Sequence, residues 1–149
     1  MRAILLLFLA AVAASACQFS VNVGKVPPPI QGNPEFGDVV LATEIDSYTK
    51  EPITEVLEFA SDVETMYATI HVRNAKAGEF RFNWRNGSDE PTGIVMTTPD
   101  IYDSWVSTWI EPTDGVPPGD DYSLEVIYNG KVISTVSFRV TGSSRRDAT

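Results

Sequence analysis

The chain has 149 residues, of which 43% are apolar, and its 20 acidic and 11 basic residues give a net charge of −9. This length is typical of one domain, and the acidic excess excludes a protein that holds nucleic acid through its phosphates. A single cysteine excludes a disulfide within the chain, and a single histidine excludes a metal site built from several histidines.

The first sixteen residues have the pattern of a secretory signal peptide. Met1 and Arg2 form a short basic start, residues 3–13 are an unbroken apolar run, and small residues follow at positions 14–16. A run of this length is too short to span a bilayer as a mature helix. We therefore predict that residues 1–16 are removed on export and add nothing to the folded core.

Cys17 follows this segment directly, in the sequence Ala14-Ser15-Ala16-Cys17. The tetrapeptide resembles the lipobox of bacterial lipoproteins, although that family usually has Leu where this chain has Ala14. The resemblance implies that Cys17 becomes the new N-terminus and carries acyl chains, palmitate among them, that hold the protein on a membrane. Gln18, where retained lipoproteins commonly have Asp, implies an outer-membrane or cell-surface location in a two-membrane bacterium. The alternative is ordinary cleavage before Cys17, which gives a periplasmic or secreted protein.

Residues 17–37 are predicted to be a tether between this anchor and a folded domain. Three consecutive prolines at 27–29 favour polyproline II and exclude helix. The alternative for the alternating apolar residues at 19–23 is a short strand docked on the domain. At the other end of the chain, residues 142–149 are polar and are predicted to be a flexible tail.

The part of the chain between residues 38 and 141 alternates apolar and polar residues with a period of two. No stretch has an apolar stripe at helical spacing, and turn residues recur every 8–12 positions or so, as in antiparallel sandwiches. We predict one all-β domain over 38–141, an antiparallel β-sandwich of about seven strands. The candidate strands lie at 39–45, 53–59, 66–73, 80–85, 93–98, 105–111, 122–126 and 132–140.

The last two candidate strands form a predicted hairpin with a specific register. A two-residue turn without a bulge would place several valines on the solvent face. A type I turn followed by a bulge at Gly130 repairs this, because the extra residue returns them to the core. It pairs Val126 with Val132 and Tyr122 with Val136. Gly130 is then expected in the left-handed region.

The same hairpin carries a family resemblance. Pro-Gly-Asp-Asp-Tyr-Ser-Leu-Glu-Val at 118–126, Asn-Gly at 129–130 and Ser-Phe-Arg-Val at 137–140 are similar to the closing hairpin of immunoglobulin-like domains in exported bacterial proteins. The resemblance implies an immunoglobulin-like sandwich over 38–141, with Trp84 at the centre of its core. It implies little about function, since such sandwiches carry many unrelated activities.

Trp105 and Trp109 are the candidate binding residues. They are four apart, so on a strand both face the same side with Ser107 between them. One interpretation is an aromatic platform for a glycan or a protein partner. The other, which we favour from the sequence, is that one or both fill the core. His71 is expected on the solvent face of its strand.

Asp114, Asp120 and Asp121 are weak candidates for a calcium site, because loops at one end of a sandwich can gather carboxylates. Their spacing does not match an EF-hand, and we predict no metal. No Gly-x-Ser-x-Gly motif occurs, and a lone histidine has no second His or Cys to complete a nucleophile–base pair. We therefore predict no catalytic residues and no cofactor.

These features predict a lipid-anchored extracytoplasmic binding or accessory protein of the bacterial envelope, not an enzyme. Its partners would be a membrane, through the acyl chains, and a protein or glycan, but no nucleic acid. The first alternative is a small exported inhibitor or ligand-binding protein that presents the Pro- and Gly-rich loop 111–119. The second is an enzyme that uses the loop carboxylates.

Overall fold

A computed structural model describes residues 26–142 of the chain. The expected signal peptide, the anchor at Cys17, most of the tether and the tail from residue 143 onward lie outside the described residues. The described part is all-β, and it contains no helix long and apolar enough to cross a membrane. Its strands are β1 (Glu35–Ile45), β2 (Pro52–Glu55), β3 (Glu58–Ala60), β4 (Met66–Ala75), β5 (Gly78–Asn86), β6 (Thr92–Thr98), β7 (Ile101–Ile110), β8 (Gly119–Tyr128) and β9 (Lys131–Thr141).

The strands form two sheets in a sandwich-like arrangement. One sheet has the order β2-β1-β4-β7 and the other β3-β9-β8-β5-β6. All neighbours are antiparallel except β3 and β9, which run parallel. Buried side chains from both sheets pack into one core. The all-β prediction is therefore confirmed.

The structure has nine strands where about seven were expected. The segment 53–59, predicted as one strand, divides into β2 and β3. β2 pairs with β1 in the four-stranded sheet, whereas β3 pairs with β9 in the five-stranded sheet. The chain crosses from one sheet to the other at residues 56–57. The segment alternates weakly because its two halves are separate strands that pack in different sheets.

Alternation explains the central strands as predicted. On β4, Met66, Ala68, Ile70 and Val72 are all at most 1% exposed, and the residues between them project from the other face. Phe80, Phe82 and Trp84 do the same on β5, where they are at most 5% exposed. Burying a large apolar side chain contributes about 1.5–3 kcal/mol, so these two strands supply much of the core. The buried members are Met66, Ala68, Ile70, Val72, Phe80, Phe82 and Trp84.

The β8–β9 hairpin differs from the predicted register. Asn129 (φ 48°) and Gly130 (φ 80°) both have positive φ, as in a two-residue type I′ turn, whose twist matches that of the strands. The left-handed conformation of Gly130 is confirmed, but the predicted type I turn is wrong. The extra residue lies inside β9 instead, because Val132 opposes Ile127 whereas Ser134 opposes Val126.

The extra residue within β9 decides which of its valines are buried. Val132, expected to face the core, is 49% exposed. Beyond the shift, Val136 opposes Leu124 and Phe138 opposes Tyr122, so the rest of β9 faces the core as predicted. The predicted pairings of Val126 with Val132 and of Tyr122 with Val136 are wrong, because the chain inserts its extra residue after the turn.

The end of the expected tether packs on the domain. Ile30 is 8% exposed, and the Tyr102 hydroxyl on β7 donates a hydrogen bond to the Pro28 carbonyl at 2.8 Å. β1 then begins at Glu35, three residues before the expected domain boundary. Residues 28–34 therefore contact the domain in addition to leading into it.

Candidate functional site

The outer face of the four-stranded sheet carries the two candidate tryptophans. Trp105 stands opposite His71, and Trp109 opposite Tyr67, across the β4–β7 pairing. His71 and Tyr67 alternate with the fully buried residues of β4, so all four side chains point away from the core. Trp109 is 54% exposed. The expectation that one or both tryptophans fill the core is wrong, whereas His71 lies on the solvent face as predicted.

The β7 sequence does not reveal this orientation. Val106 and Thr108 are buried and define the inner face, but the outer face carries still larger apolar side chains. A strand with apolar residues on both faces gives no clean alternation. The orientation of the β7 side chains could be inferred only from the partner strand β4. Its clear alternation determines which face each opposing β7 residue occupies.

We call the outward-facing residues of this strand the β7 strip; they are Asp103, Trp105, Ser107 and Trp109. β7 is the edge strand of its sheet, and its register with β4 has no break over ten residues. The strip therefore runs along one edge of the sheet without a bulge. Four residues of strand separate the two tryptophans by about 13 Å.

A groove of about 490 Å³ lies beside the strip, between β7 and the turn at residues 46–51. His71 forms its floor together with Trp105, and their ring centroids are 5.0 Å apart. His71 Nε2 lies 2.6 Å from Asp103 Oδ1, which fixes the orientation of the imidazole ring. The turn contributes the opposite wall through Tyr48 and Glu51.

The turn that forms this wall is held in place by its own hydrogen bonds. The Asp46 carboxylate accepts from the backbone N–H groups of Tyr48 at 2.9 Å and Thr49 at 2.6 Å. These bonds, that from Thr49 first, lower the pKa of Asp46 from its ordinary 3.8. Thr69, on the outer face of β4, donates its hydroxyl to the Lys50 carbonyl at 2.9 Å and so fastens the turn to the sheet.

Three groove residues were missed by sequence reasoning. Tyr48 and Glu51 lie in a turn whose position over β4 has no local sequence signal. Asp103 lies before the strand predicted at 105–111, but it belongs to β7. Glu51 is exposed and lines the groove, and its carboxylate has no hydrogen bond or ion pair within residues 26–142.

A second, smaller cavity of about 240 Å³ lies at the end of the sandwich where β5 finishes. Its lining includes Trp84, Tyr122 and Phe138, and the two latter rings stack at 5.3 Å. Burial, with a contribution from the nearby charge of Asp89, raises the pKa of Tyr122 above its ordinary 10.0. Within the described residues, the Trp84 indole Nε1 is buried without a hydrogen-bond partner. Trp84 is thus a core residue, 5% exposed, beside this cavity.

The acidic loop residues are not gathered into a metal site. Residues 26–142 contain no group of three or more His, Cys, Asp or Glu side chains placed to hold a metal ion. Asp114, Asp120 and Asp121 are all exposed at the surface. Asp120 and Asp121 lie at the start of β8, and the backbone carbonyl of Asp121 accepts a hydrogen bond at 2.7 Å from the Gly87 N–H in the turn after β5.

The loop 111–119, the alternative recognition element, is tied to the body of the domain. Its Val116 N–H donates to the Ser61 carbonyl at 2.8 Å, and its Pro117 carbonyl accepts from the Tyr122 hydroxyl at 2.6 Å. Val116 also packs against the core. These contacts fix the loop on the domain, while most of its residues remain exposed.

The described part of the chain is thus an all-β, sandwich-like domain with an aromatic outer sheet face and a groove beside it. No protein-family model matches the chain, and no curated protein is significantly similar to it.

Proposed function

We propose that this chain is a lipid-anchored binding or accessory protein of the bacterial envelope, acting outside the cytoplasm without catalysing a reaction. The observation that carries the proposal is the outward orientation of Trp105 and Trp109 on the β7 strip. Tryptophan on a surface exposes apolar area that a partner can bury, and it is among the residues most enriched at the centres of interfaces. We therefore assign recognition to the outer face of the four-stranded sheet.

The proposed anchor is supported by the sequence around Cys17, which lies outside the described residues. Several acyl chains hold a protein firmly on a bilayer, whereas an acidic chain, with a net charge of −9 over its full length, is repelled by anionic headgroups. Lipid, not a basic patch, would supply the attachment. The domain would then present its sheet face outward from the outer membrane or cell surface.

We also propose that the sandwich is immunoglobulin-like. Three features support this: the pairing of the first long strand, β1, with β4; the parallel pairing of β3 with the last strand; and Trp84 buried on β5. The hydrogen bond from the Tyr122 hydroxyl to a backbone carbonyl five residues upstream resembles the tyrosine corner of such domains. A scaffold of this kind presents binding surfaces on its loops or sheet faces without providing a deep cleft.

The recognition surface is tested by affinity capture from a detergent-solubilised native envelope, using the full-length chain. We expect the Trp105→Ala/Trp109→Ala variant to lose the specifically bound protein or glycan while unfolding at the same temperature as the wild type. The matched control is Val95→Ala, which removes a 50% exposed apolar side chain from β6 in the other sheet. Equal capture by the double variant and the control would contradict the proposal.

The anchor is tested separately, by the mass of the mature N-terminal peptide and by membrane fractionation. We expect an acylated Cys17 in the membrane fraction and a soluble protein for Cys17→Ser. An unmodified N-terminus in the wild type would contradict the lipoprotein assignment. The binding surface would then be tested by the capture experiment alone.

A further inference from the structure

We infer that the groove between the turn 46–51 and the β7 strip binds a neutral sugar unit of a glycan. This inference rests on the proposed function, because it identifies the partner class of the same outer sheet face. The groove combines an aromatic floor with carboxylate acceptors on both sides. The floor suits the apolar face of a sugar ring, and the carboxylates suit its hydroxyl groups.

The floor matches the apolar part of a sugar. A pyranose ring presents C–H groups on one face, and these pack on the face of an indole as other apolar groups do. Trp105 supplies that surface, and its neighbour His71 lies 5.0 Å away at a tilt of 41°. Because the His71–Asp103 contact holds the imidazole in place, the floor is formed before a ligand arrives.

The walls match the polar part of a sugar. Glu51 offers a carboxylate without a protein donor in the described structure, and Asp103 has acceptor capacity beyond its single contact with His71. Hydroxyl groups are donors that a carboxylate binds through charge-assisted hydrogen bonds. Tyr48 also lines the groove, with its side chain 93% exposed.

Charge excludes anionic glycans from this groove. Its two carboxylates would repel a uronate or a phosphate, and the whole chain is acidic. Two cationic side chains in the same region are engaged elsewhere. Arg73 forms an ion pair with Glu35 at 2.8 Å, and Lys50, whose Nζ donates to the Ser47 carbonyl at 2.6 Å, keeps its charge but does not line the groove. The acceptor groups therefore favour a ligand that brings hydroxyl donors and no negative charge.

The strip extends the site along β7 beyond a single sugar. Trp109 lies about 13 Å from Trp105 on the same face of the strand, with the small side chain of Ser107 between them. A chain of several sugar units that begins in the groove can therefore reach a second aromatic surface. This geometry predicts tighter binding of longer oligosaccharides than of a monosaccharide.

The inference is tested by binding of the purified full chain to an array of neutral hexose and N-acetylhexosamine oligosaccharides, with uronate oligosaccharides alongside. We expect at least one neutral ligand to bind, with affinity that rises with chain length, and no uronate to bind. Calorimetry with the neutral ligand follows for each variant. Trp105→Ala and Glu51→Gln should each weaken binding by about tenfold or more, because they remove the stacking surface and the charged acceptor.

Two controls separate the groove from general effects. Glu64→Gln removes an exposed carboxylate just before β4 that does not line the groove, and it should leave the affinity unchanged. Trp105→Phe keeps an aromatic face and should retain more binding than Trp105→Ala. Unfolding temperatures equal to the wild type show that each variant is folded.

The result that overturns the inference is absence of binding to every neutral oligosaccharide, preference for the uronates, or binding that is indifferent to Trp105→Ala. If envelope capture still depends on the tryptophans while the array is negative, the partner is a protein. The proposed binding function then stands and the glycan assignment falls. If both experiments are negative, the outer sheet face is not the recognition surface.

Discussion

The Tyr122 hydroxyl donates a hydrogen bond to the Pro117 carbonyl at 2.6 Å. Tyr122 begins the buried row of β8, is 7% exposed and stacks on Phe138, while Pro117 belongs to the loop that precedes the strand. The bond therefore joins a loop without regular structure to the aromatic part of the core.

Removal of this hydroxyl should destabilise the domain. We expect Tyr122→Phe to lower the free energy of unfolding by about 1 kcal/mol, the net value of a hydrogen bond whose partner is left unpaired. Urea denaturation at neutral pH provides the measurement. The control is Tyr48→Phe, since Tyr48 is 93% exposed. Equal losses for the two variants would mean that the Tyr122 bond contributes nothing to stability.

The same residue predicts how stability depends on alkaline pH. Burial raises the pKa of Tyr122 in the folded state above 10.0, so above that pH the unfolded chain releases this proton more readily than the folded chain. The contribution of Tyr122 is therefore complete below pH 10.0 and is lost as pH rises through the folded-state pKa. Urea denaturation between pH 9 and 11 or so should show a shallower decline for Tyr122→Phe than for the wild type. Identical declines would contradict the shift.

The turn between β8 and β9 predicts a contrast between two glycines. Gly130 has a φ of 80° with open space around it, so alanine there meets backbone strain but no clash. We expect Gly130→Ala to lower the free energy of unfolding by about 1 kcal/mol. Gly142 also has open space but no left-handed φ, and Gly142→Ala should change stability by less than about 0.5 kcal/mol. Similar effects at both positions would contradict the type I′ turn.

The register shift in β9 predicts different costs for two valines near the same turn. Val126 is fully buried, whereas Val132 is 49% exposed. We expect Val126→Ala to cost about 2 kcal/mol of stability and Val132→Ala less than about 0.5 kcal/mol. In the register predicted from the sequence, Val126 would oppose Val132, so both would face the core and both substitutions would be costly. Chemical denaturation of the two variants therefore distinguishes the two registers.

The Asp46 turn predicts a pH dependence at the acidic end. Hydrogen bonds from Thr49 and Tyr48 lower the folded-state pKa of Asp46, so its contribution is present above pH 3.8 and is lost as pH falls through the folded-state value. We expect Asp46→Asn to reduce stability at neutral pH, with the difference from the wild type shrinking below pH 3.8. Denaturation at a series of acidic pH values tests this. A difference that stays constant with pH would contradict it.

Much of the fold could be predicted because its central strands have one buried face. The alternation of β4 and β5 places Met66 and Phe82 in the core, and these are 1% and 0% exposed. Such a pattern permits only one orientation, since a slip by one residue would expose the whole apolar set. The left-handed Gly130 was also predictable, because a tight hairpin turn requires a residue that tolerates positive φ.

Other features of the fold could not be predicted from the sequence, because they depend on which strands pair with each other. The segment 53–59 has no local signal for division between two sheets, and β7 carries apolar residues on both faces. The groove joins a turn at 46–51 to His71 and to Asp103, which are far apart in the sequence. Sequence spacing therefore indicated Trp105 as a candidate binding residue, but it could not predict which residues surround Trp105 in the groove.

By itself, the sequence determined the all-β class, the core faces of the clearly alternating strands and the presence of a cysteine after an apolar leader. These are local properties, decided by period, turn chemistry and motif. The tertiary structure decided three features: the outward orientation of Trp105 and Trp109, the extra residue within β9, and the position of Glu51 beside the groove. The reason is that each of these depends on contacts between segments distant in sequence, where burial against a particular partner strand outweighs local preference.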